Sequence, residues 1–129
     1  MSSPPLILIC DDDPLLIELM EFRLRAKGYA VTTATDGEEA FAKVSSERPS
    51  IVVLDAMMPK LDGFDVLNRI KQDPELKDIP VVMLTARKNE RDIVSALERG
   101  AEDYLVKPFI PDELMARLSK LIARQPPRA

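Results

Sequence analysis

Five times along this chain a short strand-like run, mostly unbroken apolar, gives way to a stretch whose apolar residues recur at helical spacing. That alternation constrains the fold more than any other feature. A strand that reads as a continuous apolar run is buried on both faces, which implies a parallel sheet covered by helices on each side. The five runs are Leu6–Cys10, Ala30–Ala34, Ile51–Leu54, Val81–Leu84 and Tyr104–Val106, the second being the weakest. Leu16, Met20 and Leu24 repeat at helical spacing before Gly28 closes that helix. Asp36 and Glu39 form a capping box, and Ala40, Phe41 and Val44 supply the inner face of the helix that follows. Phe64, Leu67 and Ile70 mark a third helix, and Ile93, Val94 and Leu97 a fourth that ends at Gly100. Pro111 and Asp112 open a fifth, with Leu114, Leu118 and Leu121 on one face. The fold class is therefore α/β, a single (βα)5 doubly wound parallel sheet.

Ligands in such sheets bind beyond the C-terminal ends of the strands, where the strand order reverses. The residues there are unusual. Asp11, Asp12 and Asp13 follow the first strand, Asp55 ends the third, Thr85 follows the fourth and Lys107 the fifth. Carboxylates, a hydroxyl and an ammonium thus converge on one edge. At an effective dielectric of 20, two carboxylates ~5 Å apart repel by about 3 kcal/mol. Lys107 supplies one positive charge, and a divalent ion would supply the rest. The chain has no histidine, so a Ser-His-Asp triad and His-ligated zinc are excluded. Any metal must be held by oxygen, which favours magnesium, calcium or manganese. A magnesium ion beside a carboxylate, a Lys and a Thr equips a site for phosphoryl transfer, with aspartate as nucleophile.

Four stretches make this specific: Ile9–Asp13, Leu54–Pro59 with Asp62 and Gly63, Leu84–Ala86, and Tyr104–Phe109. In order and spacing they resemble the receiver domains of two-component response regulators, the CheY-like family, from about Leu6 to Arg124. Thr85 lies 30 residues and Lys107 52 residues past Asp55, as in that family. The resemblance implies the strand order 2-1-3-4-5. It implies that Asp55 accepts the phosphoryl group, in a reaction that needs Mg2+, with Mn2+ able to substitute. Asp12 and Asp55 would ligate the ion directly, Asp11 largely through water, and Met57 by its backbone carbonyl. Lys107 would pair with the carboxylate before the reaction and with the phosphoryl group after it. Thr85 would donate a hydrogen bond to a phosphoryl oxygen, and Tyr104 would be the switch aromatic. The Lys107–Pro108 peptide is expected to be cis. The donor would be a phosphohistidine on a histidine kinase or histidine phosphotransfer protein. Output would pass through the fourth helix, fifth strand and fifth helix to a partner or output domain, from a monomer or a phosphorylation-dependent dimer. Such a domain is not an enzyme with turnover, because it catalyses only its own phosphorylation and dephosphorylation.

Plainer readings apply to several residues. Asp13 precedes Pro14 and fits a helix N-cap rather than a ligand. Cys10, the one cysteine, reads as a small buried apolar residue and excludes an internal disulfide, which fits a cytoplasmic location. Arg87–Arg91 reads as a solvated loop and helix start. Met57 and Arg87 border the site, where they are expected to tune the lifetime of the phosphoryl group. Asp11 and Asp13 also resemble the nucleophile and acid of haloacid-dehalogenase-type phosphatases, but Leu15 stands where those carry Thr or Val, and no cap insertion is present. No Gly-rich loop or G-x-x-x-x-G-K-[ST] motif supports a nucleotide or flavin binder. A receiver-like module that only binds is the third alternative, against which every required residue is in place.

The remaining bounds come from composition. At 129 residues the chain suffices for one domain, with a core from about 6 to 124 and a tail or linker start at 125–129. Apolar residues make up 46% and charged residues 31%, the balance of a soluble globular protein. No apolar run approaches the ~20 residues of a membrane span, and no membrane partner is expected. The net charge of −4 argues against direct contact with nucleic acid.

Overall fold

The computed structural model describes residues 4–86 and 90–124. Arg87, Lys88 and Asn89, and the tail 125–129, lie outside the described residues, so the expectations for Arg87 and for the tail have no structural counterpart. Five strands alternate with five helices. They are β1 (Leu6–Cys10), α1 (Pro14–Ala26), β2 (Ala30–Ala34), α2 (Gly37–Glu47), β3 (Ile51–Asp55), α3 (Gly63–Gln72), β4 (Val81–Thr85), α4 (Glu90–Glu98), β5 (Asp103–Val106) and α5 (Pro111–Ala123). All neighbouring strands are parallel, in the order β2-β1-β3-β4-β5. The order reverses between β1 and β3, so their C-terminal ends flank the crevice that such sheets use for ligands.

The continuous apolar runs divide by parity. Ile7 and Ile9 of β1, Ile51 and Val53 of β3, and Val82 and Leu84 of β4 face a cluster closed by Met20 and Leu24 of α1 and Leu114 and Leu118 of α5. Leu8, Cys10, Val52, Leu54, Val81 and Met83 point the other way. There they meet Val44 of α2, Leu67 and Ile70 of α3, and Ala96 of α4. Two helices thus cover one face and three the other. On α4 the inward residue is the small Ala96, while Val94 and Leu97 stay exposed.

Helix starts follow their local chemistry. The Asp13 carboxylate accepts from the amides of Leu15 and Leu16, with Pro14 at the first helical position, so Asp13 is a cap as its sequence context implies. Asp36 accepts from the Glu39 amide at 2.8 Å. Glu39 returns not to the Asp36 amide, as a standard capping box has it, but to that of Thr35 at 2.8 Å. Asp62 caps α3 through the Asp65 amide. At the β2 margin the outward carbonyls of Val31 and Thr33 accept from Arg25 and Lys43 respectively.

Candidate functional site

Because the strands run in one direction, their last residues share an edge. Asp11 follows β1, Asp55 ends β3 beside Leu84 of β4, and Thr85 ends β4 beside Val106 of β5. Lys107 follows β5, and its amide donates to the Thr85 carbonyl at 2.7 Å. Carboxylate oxygens of Asp11, Asp12 and Asp55 lie within 4.8 Å of one another. Asp11 is fully buried and Asp55 is 5% exposed, whereas Asp12 faces solvent. The sequence-predicted set is therefore brought together by its strand ends.

Both Asp11 oxygens are engaged. Oδ1 accepts from the Asp13 amide at 2.9 Å, and Oδ2 meets Lys107 Nζ at 2.7 Å. The same ammonium is 3.6 Å from Asp55 Oδ1. The family resemblance pairs Lys107 with the Asp55 carboxylate; its tighter contact is with Asp11, and it bridges the two. Asp55 Oδ1 also receives the Met57 amide at 3.4 Å. Burial pushes the Asp55 carboxyl up to about 6, and the charges of Asp11 and Asp12 add to this, while Lys107 and the Met57 amide oppose it. For Lys107, burial works against the charge, but the hydrogen bond to Asp11 and the charges of Asp55 and Asp11 outweigh it and raise its pKa above the ordinary lysine value. The lysine is thus a fixed cation, and the carboxylates still carry a negative excess.

That excess and an all-oxygen donor set fit a small divalent cation. Two oxygens bound directly to one Mg2+ lie at most roughly 4 Å apart, and farther when water intervenes. Three carboxylates with oxygens inside 4.8 Å of one another, one of them solvent-facing, are close enough to share one such ion, directly or through water.

The remaining predicted residues fall as follows. Thr85 is buried at the edge. Met57 is 63% exposed beside Asp55. Tyr104 is half-buried and packs on the cluster beneath α2, α3 and α4, opposite Met83 in register. Lys107–Pro108 is cis. Cys10 is buried, and its thiol is pushed up by desolvation.

Gly63 has a role its motif position did not explain. Its amide donates to the Ala56 carbonyl at 2.9 Å, and a Cβ there would lie 2.2 Å from the Asp55 carbonyl oxygen. Only a residue without a side chain lets α3 begin against the end of β3. The available signal was scarcity, since the chain has only four glycines and two open helices.

A family model described as the response regulator receiver domain matches residues 7–119. The chain belongs to this family. Among relatives of the receiver domain, the alkaline phosphatase synthesis transcriptional regulatory protein PhoP of Bacillus subtilis is 44% identical over 118 residues, covering 92% of this chain and 48% of PhoP. The chain thus spans about half the length of the curated relatives it matches. Among solved structures, the Francisella response regulator 1452 receiver domain is 32% identical with a TM-score of 0.87, covering 93% of this chain and 98% of its own. The receiver domain of sensor histidine kinase PA1611 from Pseudomonas aeruginosa is 31% identical with a TM-score of 0.84, covering 94% and 99%. That structure holds a magnesium ion coordinated in the active site cleft. Among the described residues of the present receiver domain, no helix is long and apolar enough to cross a membrane.

Proposed function

We propose that this receiver domain takes a phosphoryl group onto Asp55 from a phosphohistidine of a histidine kinase or histidine phosphotransfer protein. The observation that carries the reading is Lys107 Nζ lying between Asp11 and Asp55, beside three carboxylates within 4.8 Å. Asp11, Asp12, Asp55 and the Met57 carbonyl would hold Mg2+, or Mn2+ in its place. When bound, the ion would neutralise charge on the transferring oxygens and orient them.

Asp55 presents a carboxylate oxygen to phosphorus, forming an O–P bond as the N–P bond of the donor breaks and the imidazole keeps the electron pair. Near neutral pH, above its raised pKa of about 6, Asp55 is predominantly ionised and nucleophilic. Lys107, anchored by Asp11, stays beside the oxygens that gain charge. Thr85 donates its hydroxyl to a phosphoryl oxygen. Its carbonyl is tied to the Lys107 amide, so movement at β4 is transmitted to β5. Tyr104, on β5, changes its packing as Thr85 moves, and the α4-β5-α5 face carries the result to a partner protein or output domain by population shift.

The 129 residues act as one receiver domain, monomeric or dimerising on phosphorylation, that makes no direct contact with nucleic acid. The module works in the cytoplasm and modifies only itself. Incubation with acetyl phosphate, with and without Mg2+, tests the reading by intact mass. The parental chain gains one phosphoryl group only with Mg2+, and Asp55→Asn gains none. Equal labelling of Asp55→Asn removes Asp55 from its role.

A further inference from the structure

We propose that Gly37, in the first turn of α2, is a positioning residue for the loop between β3 and α3, and through it for cation binding at the acidic cluster. The proposal rests on the reading of that cluster as a Mg2+ site. The loop leaves β3 after Asp55, carries Met57 and closes at Gly63, where the Gly63 amide meets the Ala56 carbonyl. Its outer part leans on α2. The Gly37 amide donates to the Pro59 carbonyl at 3.2 Å, and Lys60 Nζ lies 3.5 Å from Asp36 Oδ2. The Leu61 amide turns back onto the Pro59 carbonyl at 2.8 Å, and Lys60 takes the left-handed φ of 70°.

The contact leaves no room. A Cβ on Gly37 would lie 1.8 Å from the Leu61 carbonyl oxygen and 2.6 Å from the Leu61 Cβ. Neither atom can swing aside as a side-chain tip would, so loop or helix must move by well over an ångström. Four residues upstream of Leu61 is the Met57 carbonyl, the backbone ligand in the proposed site. Mg2+ demands near-ideal octahedral geometry, so a displaced carbonyl costs affinity even though no ligand has changed. Asp36 joins the two functions, since one carboxylate oxygen caps α2 and the other faces Lys60.

The test compares Gly37→Ala, Asp36→Asn and Lys60→Ala with the parental chain. Asparagine keeps the cap but drops the charge. Mg2+ dissociation constants come from amide chemical-shift titration with MgCl2 alone, and phosphorylation by acetyl phosphate is followed across Mg2+ concentrations. Gly37→Ala is expected to weaken Mg2+ binding by about tenfold, the lower end for residues that orient ligands. Its phosphorylation rate should return to near the parental value at saturating Mg2+. Asp36→Asn and Lys60→Ala should shift binding less, in the same direction. Both readouts are taken where amide dispersion shows each variant fully folded without Mg2+, because added Mg2+ would itself restore a partly unfolded sample. Parental Mg2+ affinity in a folded Gly37→Ala overturns the proposal, as does a rate that stays depressed at saturation. If Gly37→Ala does not fold, unchanged affinity in both other variants overturns it equally. A parental chain that binds no Mg2+ would instead remove the function reading on which the proposal rests.

Discussion

The Lys107 ammonium is nearer to Asp11, at 2.7 Å, than to Asp55, at 3.6 Å. The lysine proposed to serve the phosphoacceptor is thus held by its buried neighbour, and Asp11 depends on that lysine in turn. Replacing Lys107 with Met leaves a fully buried carboxylate with, among the described residues, only the Asp13 amide. Loss of one partner from a buried charged pair costs about 1–3 kcal/mol or more. Urea unfolding without divalent ions should show Lys107→Met destabilised by about that amount, with added Mg2+ recovering part of it. Parental stability in the variant would mean that the bridge does not sustain Asp11.

Asp55 carries a pH signature of unusual sign. Its folded pKa of about 6 stands above the ordinary 3.8, so the native state binds its proton more tightly than the unfolded chain. Its contribution is therefore present at pH below about 4 and lost as pH rises to about 6. The loss is about 3 kcal/mol in order of magnitude. Asp55→Asn, neutral throughout, should be more stable than the parent by about 1–3 kcal/mol at pH 7.5, with the gap closing toward pH 4. Thermal melts across this range in divalent-free buffer measure it. A gap independent of pH sinks the assignment.

Asp12 faces solvent, so its value lies in binding rather than folding. Asp12→Asn should change stability without Mg2+ by no more than about 0.5 kcal/mol. At a hundredfold excess over its dissociation constant, Mg2+ should stabilise the parent by ~2.7 kcal/mol. The variant should need ~10-fold or more Mg2+ for the same rise. Differential scanning fluorimetry over a MgCl2 series distinguishes these outcomes, and an undiminished rise removes Asp12 from the ligand set.

Met57 projects into solvent beside Asp55. Met57→Asn should leave folding stability within about 0.5 kcal/mol and shorten the lifetime of the phosphorylated form severalfold, because an amide can hold water near the acyl phosphate. Decay followed by intact mass after donor removal reads this directly, and parental decay refutes it.

Gly63→Ala places a methyl group 2.2 Å from the Asp55 carbonyl oxygen. Relief of such overpacking costs about 1–3 kcal/mol, which exceeds the gain in helix propensity of up to ~1 kcal/mol. Chemical denaturation should show net destabilisation, and a stabilised Gly63→Ala would contradict the close approach.

The sheet and its charged edge were legible because both depend on where strands end, whereas the strand order followed only from the resemblance to receiver domains. Val53, Leu54 and Asp55 announce a buried strand with a charge at its tip, and Lys107 with Pro108 does the same for β5. Partner choice inside the edge was not legible. Whether Lys107 leans on Asp11 or Asp55 is settled by about an ångström, which residue spacing does not encode. The reach of Glu39 to Thr35 rather than Asp36 is hidden for the same reason. The close approach of Gly37 to Leu61 joins elements distant in sequence, and a glycine heading a helix gives little hint of what presses against it. Val94 and Leu97 repeat at helical spacing yet remain exposed, since periodicity marks an apolar stripe without saying whether this chain alone covers it.

The carbonyls along the outer side of β2 offer the natural landing place for a foreign strand. With those of Val31 and Thr33 already occupied by Arg25 and Lys43, an incoming backbone would have to evict two cations before it could zip on. Runaway cross-chain templating is therefore discouraged at that margin, even when the protein is concentrated.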